Sequence, residues 1–345
     1  MSPPRLLLVG YEFYRTGASL CLYRLARHLA ANGYVLDLIA MTGQPGALEA
    51  DYAALGVGRL GRYEPIVTRN YAAAIINSLS CGPALPKVGP DVPCLWWIHE
   101  AEAGLKMILG HPSLAEGFKH ARAIVLQSEH QRAVLGSFLH ELDAPVLVIP
   151  NAPADTPPVP VPRSARTRIV SIGTVEPRKR HEDLIRAVEA MPTGERDSFE
   201  VVIIGRHEAP NAEALTLAAR HPTRYRLLGE LPHEDALGWL ASADIYALPS
   251  GSESQAISVL EAMRAGVPVC LSDLSVYRSL GIRHGDLALM HPPSDVELLG
   301  ANLRLLRDVA RLRNRLSANG KVYAARFTEA GFFGALEAAI KAIMR

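Results

Sequence analysis

ADIYALPSGSESQAISVLEAMRAGVPVCLSD, residues 243–273, passes from strand to loop to helix to strand in one short stretch. Asp244–Pro249 is apolar and predicts a strand. A polar loop follows, and a helix begins near Ala256 and ends before Gly266-Val267-Pro268. Pro268–Ser272 predicts the next strand. Two near-continuous apolar strands joined through a helix belong to a parallel sheet buried on both faces.

The same alternation extends outward. Arg168–Gly173, Val201–Gly205 and Tyr225–Gly229 read as strands, and Leu184, Ile185, Val188 and Met191 trace one helix face. Upstream, strands are expected at Arg5–Gly10, Val35–Ala40, Ala73–Ser78, Pro93–Ile98, Ala123–Gln127 and Val146–Ile149. The helix Ser19–Ala31 repeats Leu20, Leu22, Tyr23, Leu25 and Leu29 near helical spacing. The two series are separated by NAPADTPPVPVPRSART, residues 151–167, whose five prolines cannot sit in a helix or a central strand. An extended linker and a domain boundary are expected there. The fold class is therefore α/β: two doubly wound parallel-sheet domains in tandem. Ligands are expected beyond the carboxyl ends of the strands, where the cleft between the domains should lie.

Composition removes several classes of function. The chain has 345 residues, enough for about two domains, and 49% are hydrophobic, which excludes global disorder. Lys plus Arg number 36 against 35 acids, a balance that predicts no nucleic-acid partner. Cys21, Cys81, Cys94 and Cys270 lie far apart, unlike a disulfide framework or a zinc site, and point to reduced thiols in a cytosolic protein. The twelve histidines include no HExxH and no metal-ligand spacing, and no two aspartates are separated by one residue. No bound metal is expected. The opening MSPPRLLLVGYEF has an apolar run of about four residues, shorter than a signal peptide's, and reads as a first strand. No stretch approaches the roughly 18 apolar residues of a membrane span. The last 45 residues carry nine basic side chains (Arg304, Arg307, Arg311, Arg313, Arg315, Lys321, Arg326, Lys341, Arg345) against three acidic ones. They form either a solvated helix face or a surface for peripheral contact with anionic lipid.

Gly56, Gly58 and Gly61 match GxGxxG, but a dinucleotide fingerprint follows a strand and opens a helix. Here the match follows ALEADYAAL and runs into RYEPIV, so it reads as a surface loop. Two other stretches carry chemistry. In residues 243–273, Glu253 precedes the helix and Glu261 lies within it, with the amides of Ser254 to Ser258 at the helix start. Either both carboxylates face a ligand, or Glu253 caps the helix and Glu261 is solvated. In RIVSIGTVEPRKRHEDLIRA, residues 168–187, Arg178-Lys179-Arg180 follow a strand end, where they would grip a diphosphate or form an exposed basic turn.

Taken together, these residues resemble the GT-B-fold retaining glycosyltransferases of family four, which use nucleotide-diphosphate sugars. The resemblance rests on Glu253…Glu261 followed by AMRAGVPV, and on the Gly173…Lys179 turn. It is reinforced by GELPHEDALGWLASADIYALPS and by RTGASLCLYRLARHLAANGY, which is similar to the family's glycine loop. FTEAGFFGALEAAIKAI resembles a terminal helix that crosses back to the first domain. This implies an acceptor-side domain at 1–155 with 329–345, and a donor-binding domain at 156–328.

The resemblance also implies roles. Glu261 would hold the ribose hydroxyls. Glu253, with Ser254, Gln255, Ala256 and Ile257, would contact the transferred sugar. Lys179 and Arg178 would neutralise the leaving diphosphate, beside Gly173 and Thr174, and Gly17 would let backbone approach it. His99, in WWIHEA, would lie by the sugar, and Leu231 and the loop after Gly205 would border the base. The chain departs from the family pattern at Thr174, where Arg is usual, at Arg180, where Gly is usual, and at Ser-Gln-Ala-Ile-Ser after Glu253. Arg178 is a candidate replacement for the guanidinium missing at Thr174.

The expected activity is transfer of a sugar from a GDP- or UDP-sugar, with retention and without a metal, to a glycan or lipid-linked acceptor in surface polysaccharide synthesis. The place of action would be the cytoplasm or the inner face of the cell membrane. A nucleotide-sugar epimerase of the same fold and a non-catalytic glycan-binding relative are the alternatives.

Overall fold

The computed structural model describes residues 3–59, 71–140, 142–207 and 212–345. The chain divides into two compact units, Met1–Asn151 with Ala330–Arg345, and Ala152–Glu329. In the first unit the strands are β1 (Arg5–Gly10), β2 (Val35–Ala40), β3 (Gly58–Arg59), β4 (Ala73–Asn77), β5 (Cys94–Trp97), β6 (Ala123–Leu126) and β7 (Val146–Val148). They are parallel and ordered 3-2-1-4-5-6-7. Leu7, Val9, Ile76, Trp96 and Ile124 point to one buried face. The helix Gly17–Ala31 buries Cys21, Leu22, Leu25, Ala26 and Leu29.

The helix Glu329–Ile343 belongs to this unit and seals it with aromatic rings. Phe332 lies 5.8 Å from Trp97, and Phe333 stacks on His28 at 5.2 Å. Glu337 accepts hydrogen bonds from His28 at 2.9 Å and Tyr34 at 3.2 Å. Lys341 and His28 hold its carboxyl below the usual range.

The second unit contains β8 (Thr167–Ile172), β9 (Phe199–Ile204), β10 (Tyr225–Leu227), β11 (Ile245–Leu248), β12 (Val269–Ser272) and β13 (Ala288–His291), parallel and ordered 10-9-8-11-12-13. Alternate residues of each strand face opposite cores. Val170, Val202, Tyr246 and Val269 pack on one side with Leu240, Leu260 and Met263. Ile169, Val201, Ile245 and Cys270 pack on the other with Leu184, Ile185, Leu299 and Leu303. This double burial is why the strands read as continuous apolar runs.

Two strands depart from the sequence reading. Gly58–Arg59 pairs with β2 at the sheet edge instead of forming a loop, and a Cβ at Gly58 would lie 2.1 Å from the Asp37 carboxylate. Gly61, the last glycine of that match, lies outside the described residues. Ala288–His291 was not anticipated from the sequence, although polar residues and prolines flank it.

Strand ends in the second unit converge through glycine. Gly205 has φ +151°, and a Cβ there would lie 2.1 Å from the Gly173 carbonyl oxygen. No side chain fits between these two turns.

Among the described residues no helix is long and apolar enough to cross a membrane, and the four cysteines are buried and form no disulfide. Several of the basic residues near the C-terminus have partners within the protein. Arg307 pairs with Asp308 and Glu195, Arg313 and Arg315 donate to backbone carbonyls, and Lys341 pairs with Glu337.

The proline-rich linker is extended and bound to the second unit. Val159 N–H donates to the Glu234 carbonyl at 3.0 Å, and Arg168 donates to the Pro162 carbonyl at 2.8 Å. A Cβ at Gly238, inside the helix His233–Ala241, would lie 1.8 Å from the Val159 carbonyl oxygen. Gly238→Ala should gain about 1 kcal/mol of helix propensity and lose more through the collision, since overpacking costs about 1–3 kcal/mol even where side chains can yield. Urea unfolding should show lower stability, and limited proteolysis should cut the linker faster. Unchanged stability and cleavage would mean that the linker is not seated on this helix.

Candidate active site

The carboxyl ends of β8 and β11 carry the charged residues singled out in the sequence. Glu253 is 5% exposed at its side chain. Its Oε1 accepts from Lys179 Nζ at 2.7 Å and from Ser250 Oγ at 2.6 Å, and its Oε2 accepts from Arg178 Nη1 at 3.2 Å. Arg178 also donates to the Ser252 carbonyl at 2.8 Å and to Glu176 at 2.5 Å. Burial would raise the Glu253 pKa, but the charges of Lys179 and Arg178 override it and hold the carboxyl below its usual range. Burial likewise works against the Arg178 charge, and Glu253 and Glu176 more than restore it.

Local geometry explains how these groups meet. Arg180 adopts the left-handed conformation (φ 54°, ψ 38°) and donates to Asp183 at 2.6 Å, which starts the helix His181–Glu189. Left-handed backbone is glycine's ordinary territory, so Arg180 holds a geometry that glycine would take without strain. Gly173 approaches Lys179 so closely that a Cβ would lie 3.1 Å from its Cε. His181, fully buried, has no hydrogen-bond partner for either ring nitrogen among the described residues. Burial, aided by Lys179, pushes its pKa down to about 3.

The helix carrying Glu261 runs Ile257–Ala265. Its N-cap, Ala256, is extended, and no side chain caps it. Tyr246 on β11 anchors the first turn by donating to Ser258 Oγ at 2.6 Å. Glu261, 8% exposed at its side chain, accepts from His233 Nε2 at 2.8 Å. Leu231 packs beside the core just before that histidine. Thr174, Ser254, Gln255, Ala256 and Ile257 lie on the two strand-end loops or at the helix start. In the loop after Gly205, residues 208–211 lie outside the described residues.

In the first unit, His99 follows β5 and lies against Trp97, with ring centroids 4.6 Å apart and planes tilted by 44°. Its Nε2 meets Asn77 Oδ1 at 2.8 Å, and Nδ1 contacts the Gln127 amide. Burial pushes its pKa down to about 3, so the ring is neutral near pH 7. Asn77 in turn donates to the Ala18 carbonyl at 3.1 Å, beside Gly17 at the helix start. A Cβ at Gly17 would meet nothing within 4 Å.

Sequence reasoning omitted Ser250, Glu176, His233, Asn77 and Gln127. Ser250 had a signal, since Ser-x-x-Glu is a capping spacing. The others meet their partners only through the sheet order. Among the described residues, no three His, Cys, Asp or Glu side chains gather as a metal-ligand set.

Two parallel Rossmann-like units with polar groups at strand ends define the GT-B class, and solved structures agree. Anabaena HepE in complex with UDP-glucose matches 98% of this chain and 99% of its own, with TM-score 0.79 and 15% identity. WaaG, a glycosyltransferase involved in lipopolysaccharide biosynthesis, matches 98% and 99%, with TM-score 0.71 and 16% identity. Residues 157–323, a little under half of the chain, match the family described as Glycosyl transferases group 1. The Escherichia coli O-antigen chain mannosyltransferase B is 29% identical over 231 residues, 63% of this chain and 59% of its own. A phosphatidyl-myo-inositol mannosyltransferase of Mycobacterium leprae is 32% identical over 161 residues, 46% and 42%. The chain thus spans about half the length of these curated relatives.

Removing one partner of a buried ion pair costs about 3–5 kcal/mol, so Lys179→Ala should lower stability by that order at pH 7. Glu253→Ala combined with Lys179→Ala should lose less than the sum of the single variants, by about 1 kcal/mol or more. The depressed pKa of Glu253 stabilises the fold above the unfolded carboxyl range, and that contribution disappears as pH falls through the folded value. Lys179→Ala should move this acid loss to higher pH. Additive losses in urea melts, with an unshifted acid limb, would show that the pair is not coupled.

Proposed function

We propose that the protein is a retaining glycosyltransferase that moves a sugar from a GDP- or UDP-sugar to a hydroxyl of a glycan or lipid-linked acceptor, in surface polysaccharide biosynthesis. The observation that carries this reading is the meeting of Lys179, Arg178 and Glu253 at the strand ends beside a helix start that no side chain caps. The family match of residues 157–323, the sugar-transferring names of the relatives and the UDP-glucose held by the Anabaena structure support it.

Breaking the bond between a sugar and a diphosphate puts positive charge on the anomeric carbon and negative charge on the leaving oxygens. Lys179 and Arg178 are the positive partners for the latter, and the free amides at the Ile257–Ala265 helix start add to them. In this reading no divalent cation is used. Before the donor arrives, the two cations are balanced by Glu253 and Glu176. Diphosphate binding would draw Lys179 and Arg178 toward phosphate, freeing Glu253 oxygens to accept from hydroxyls of the transferred sugar. The acceptor hydroxyl would attack from the face the diphosphate leaves, passing its proton to the departing phosphate oxygen.

Glu261 would accept from the ribose hydroxyls. Gly17 would leave room for backbone to approach phosphate. Neutral His99 would serve a sugar hydroxyl by exchanging one of its two present partners. The protein would work in the cytoplasm or at the inner membrane face.

Thermal unfolding with UDP, GDP, dTDP and ADP tests the donor assignment. A nucleotide at 100 times its Kd adds about 2.7 kcal/mol. One base should produce a shift of that order, and Glu261→Ala should weaken its binding ~10-fold or more, given about 1.5–3 kcal/mol per hydrogen bond to a charged group. No shift with any nucleotide would remove the reading. Loss of donor without acceptor, with no nucleotide diphosphate released, would identify an epimerase instead.

A further inference from the structure

The two glutamates of the candidate site differ in how completely they are paired. Glu253 accepts from Lys179, Arg178 and Ser250, so both oxygens are engaged. Glu261 accepts from His233 through Oε1 alone among the described residues, although its side chain is only 8% exposed. A buried carboxylate with a single donor can accept further hydrogen bonds, and an enclosed polar group requires them.

His233 itself is set by the fold. It is the first residue of the helix His233–Ala241, and Pro232 before it has φ −51° and ψ 147°, which fixes the direction of entry. Successive turns of that helix bury Ala236 and Leu240 in the core shared with Val259, Leu260 and Met263 of the Glu261 helix. The packing of one helix on the other therefore carries the imidazole to the carboxylate.

From this geometry we infer that His233 is a positioning residue: its Nε2–H holds Oε1 of Glu261 and turns Oε2 toward the paired hydroxyls of the nucleotide ribose. The carboxylate can only accept, so Nε2 carries the proton and the tautomer is settled. Holding one oxygen fixes the plane of the carboxyl group before ligand arrives, which removes a rotor that binding would otherwise have to freeze. The inference rests on the reading that Glu261 holds ribose. It goes beyond it by assigning the residue that orients the carboxylate.

The test is calorimetric titration of UDP and GDP, each alongside its 2′,3′-dideoxy counterpart, into wild type, His233→Ala, His233→Gln, Glu261→Ala and the His233→Ala/Glu261→Ala double variant. Gln can place an amide N–H near the position of Nε2. His233→Ala should weaken the bound ribonucleotide by ~3- to 10-fold, the range for one neutral hydrogen bond, and leave its dideoxy counterpart unchanged. His233→Gln should recover most of the loss. The double variant should bind like Glu261→Ala alone.

Equal weakening of ribo- and dideoxynucleotide by His233→Ala would overturn the inference, as would full ribonucleotide affinity in that variant or failure of Gln to restore it. The underlying reading fails in a different way, when Glu261→Ala leaves the ribo-to-dideoxy ratio unchanged or when neither nucleotide binds wild type. Urea midpoints of the same variants identify any loss of fold, and His233→Gln keeps the test decisive if His233→Ala does not fold.

Discussion

A carboxylate that is 5% exposed cannot remain ionised without nearby positive charge, and Glu253 has two cations and a hydroxyl within hydrogen-bonding distance. The two cations lie 74 and 75 residues before Glu253 in the chain. The loop after β8 supplies Lys179 and Arg178, and the loop after β11 supplies Glu253. The two strands are neighbours in the sheet, so the ion cluster works as a clasp across their carboxyl ends. Gly251 N–H donates to the Arg178 carbonyl at 2.8 Å, which adds a backbone tie to the ionic one. The loops at the strand ends are held in place before any ligand binds. Such preorganisation is what a site needs if charge is to be stabilised without rearrangement.

Buried ion pairs are poor sources of net stability, since the gain in attraction is offset by lost hydration. Hydrophobic residues of similar size could hold two loops together at least as well. Keeping Lys179, Arg178 and Glu253 there makes sense when the charges are needed for another purpose. Their arrangement is close to neutral once Glu176 is counted with Arg178. An arriving diphosphate would meet two cations already aimed and only moderately committed, and Glu253 would be released as they turn. On the proposed function, the same residues would serve the fold when the site is empty and the chemistry when it is filled.

Much of the fold was readable because burial on both faces writes itself into local sequence. Each of the eleven expected strands agrees with the observed one to within two residues at either end, and Arg5–Gly10 and Val35–Ala40 agree throughout. The turn glycines read as strand ends also belong there, and the Gly205 and Gly173 turns leave no room for side chains. What escaped was either too short to show a period or made by tertiary approach. Gly58–Arg59 has two residues and depends on β2 for its pairing. Ala288–His291 has only four residues, all buried, and so shows no alternation. In the site, the types and positions of Glu253, Glu261, Lys179 and Arg178 were legible because they cluster in two motifs. Their pairing was not. Which cation meets which carboxylate depends on the order in which strands are laid down, and His233 meets Glu261 only because two helices share a core.

Arg180 shows how a local departure can be absorbed without losing this geometry. Its left-handed backbone costs a non-glycine residue roughly 1–2 kcal/mol. The structure offsets part of this through Asp183, which is 2% exposed at its side chain and accepts from both Arg180 at 2.6 Å and Arg186 at 3.1 Å. An aspartate so enclosed needs donors of its own, so the Arg180 guanidinium satisfies a group that glycine would leave half paired. The left-handed turn is thereby held by an ion pair at the start of its helix. Lys179 sits immediately before that turn. Fixing the turn fixes the point from which its side chain leaves the backbone, and with it the 2.7 Å contact to Glu253.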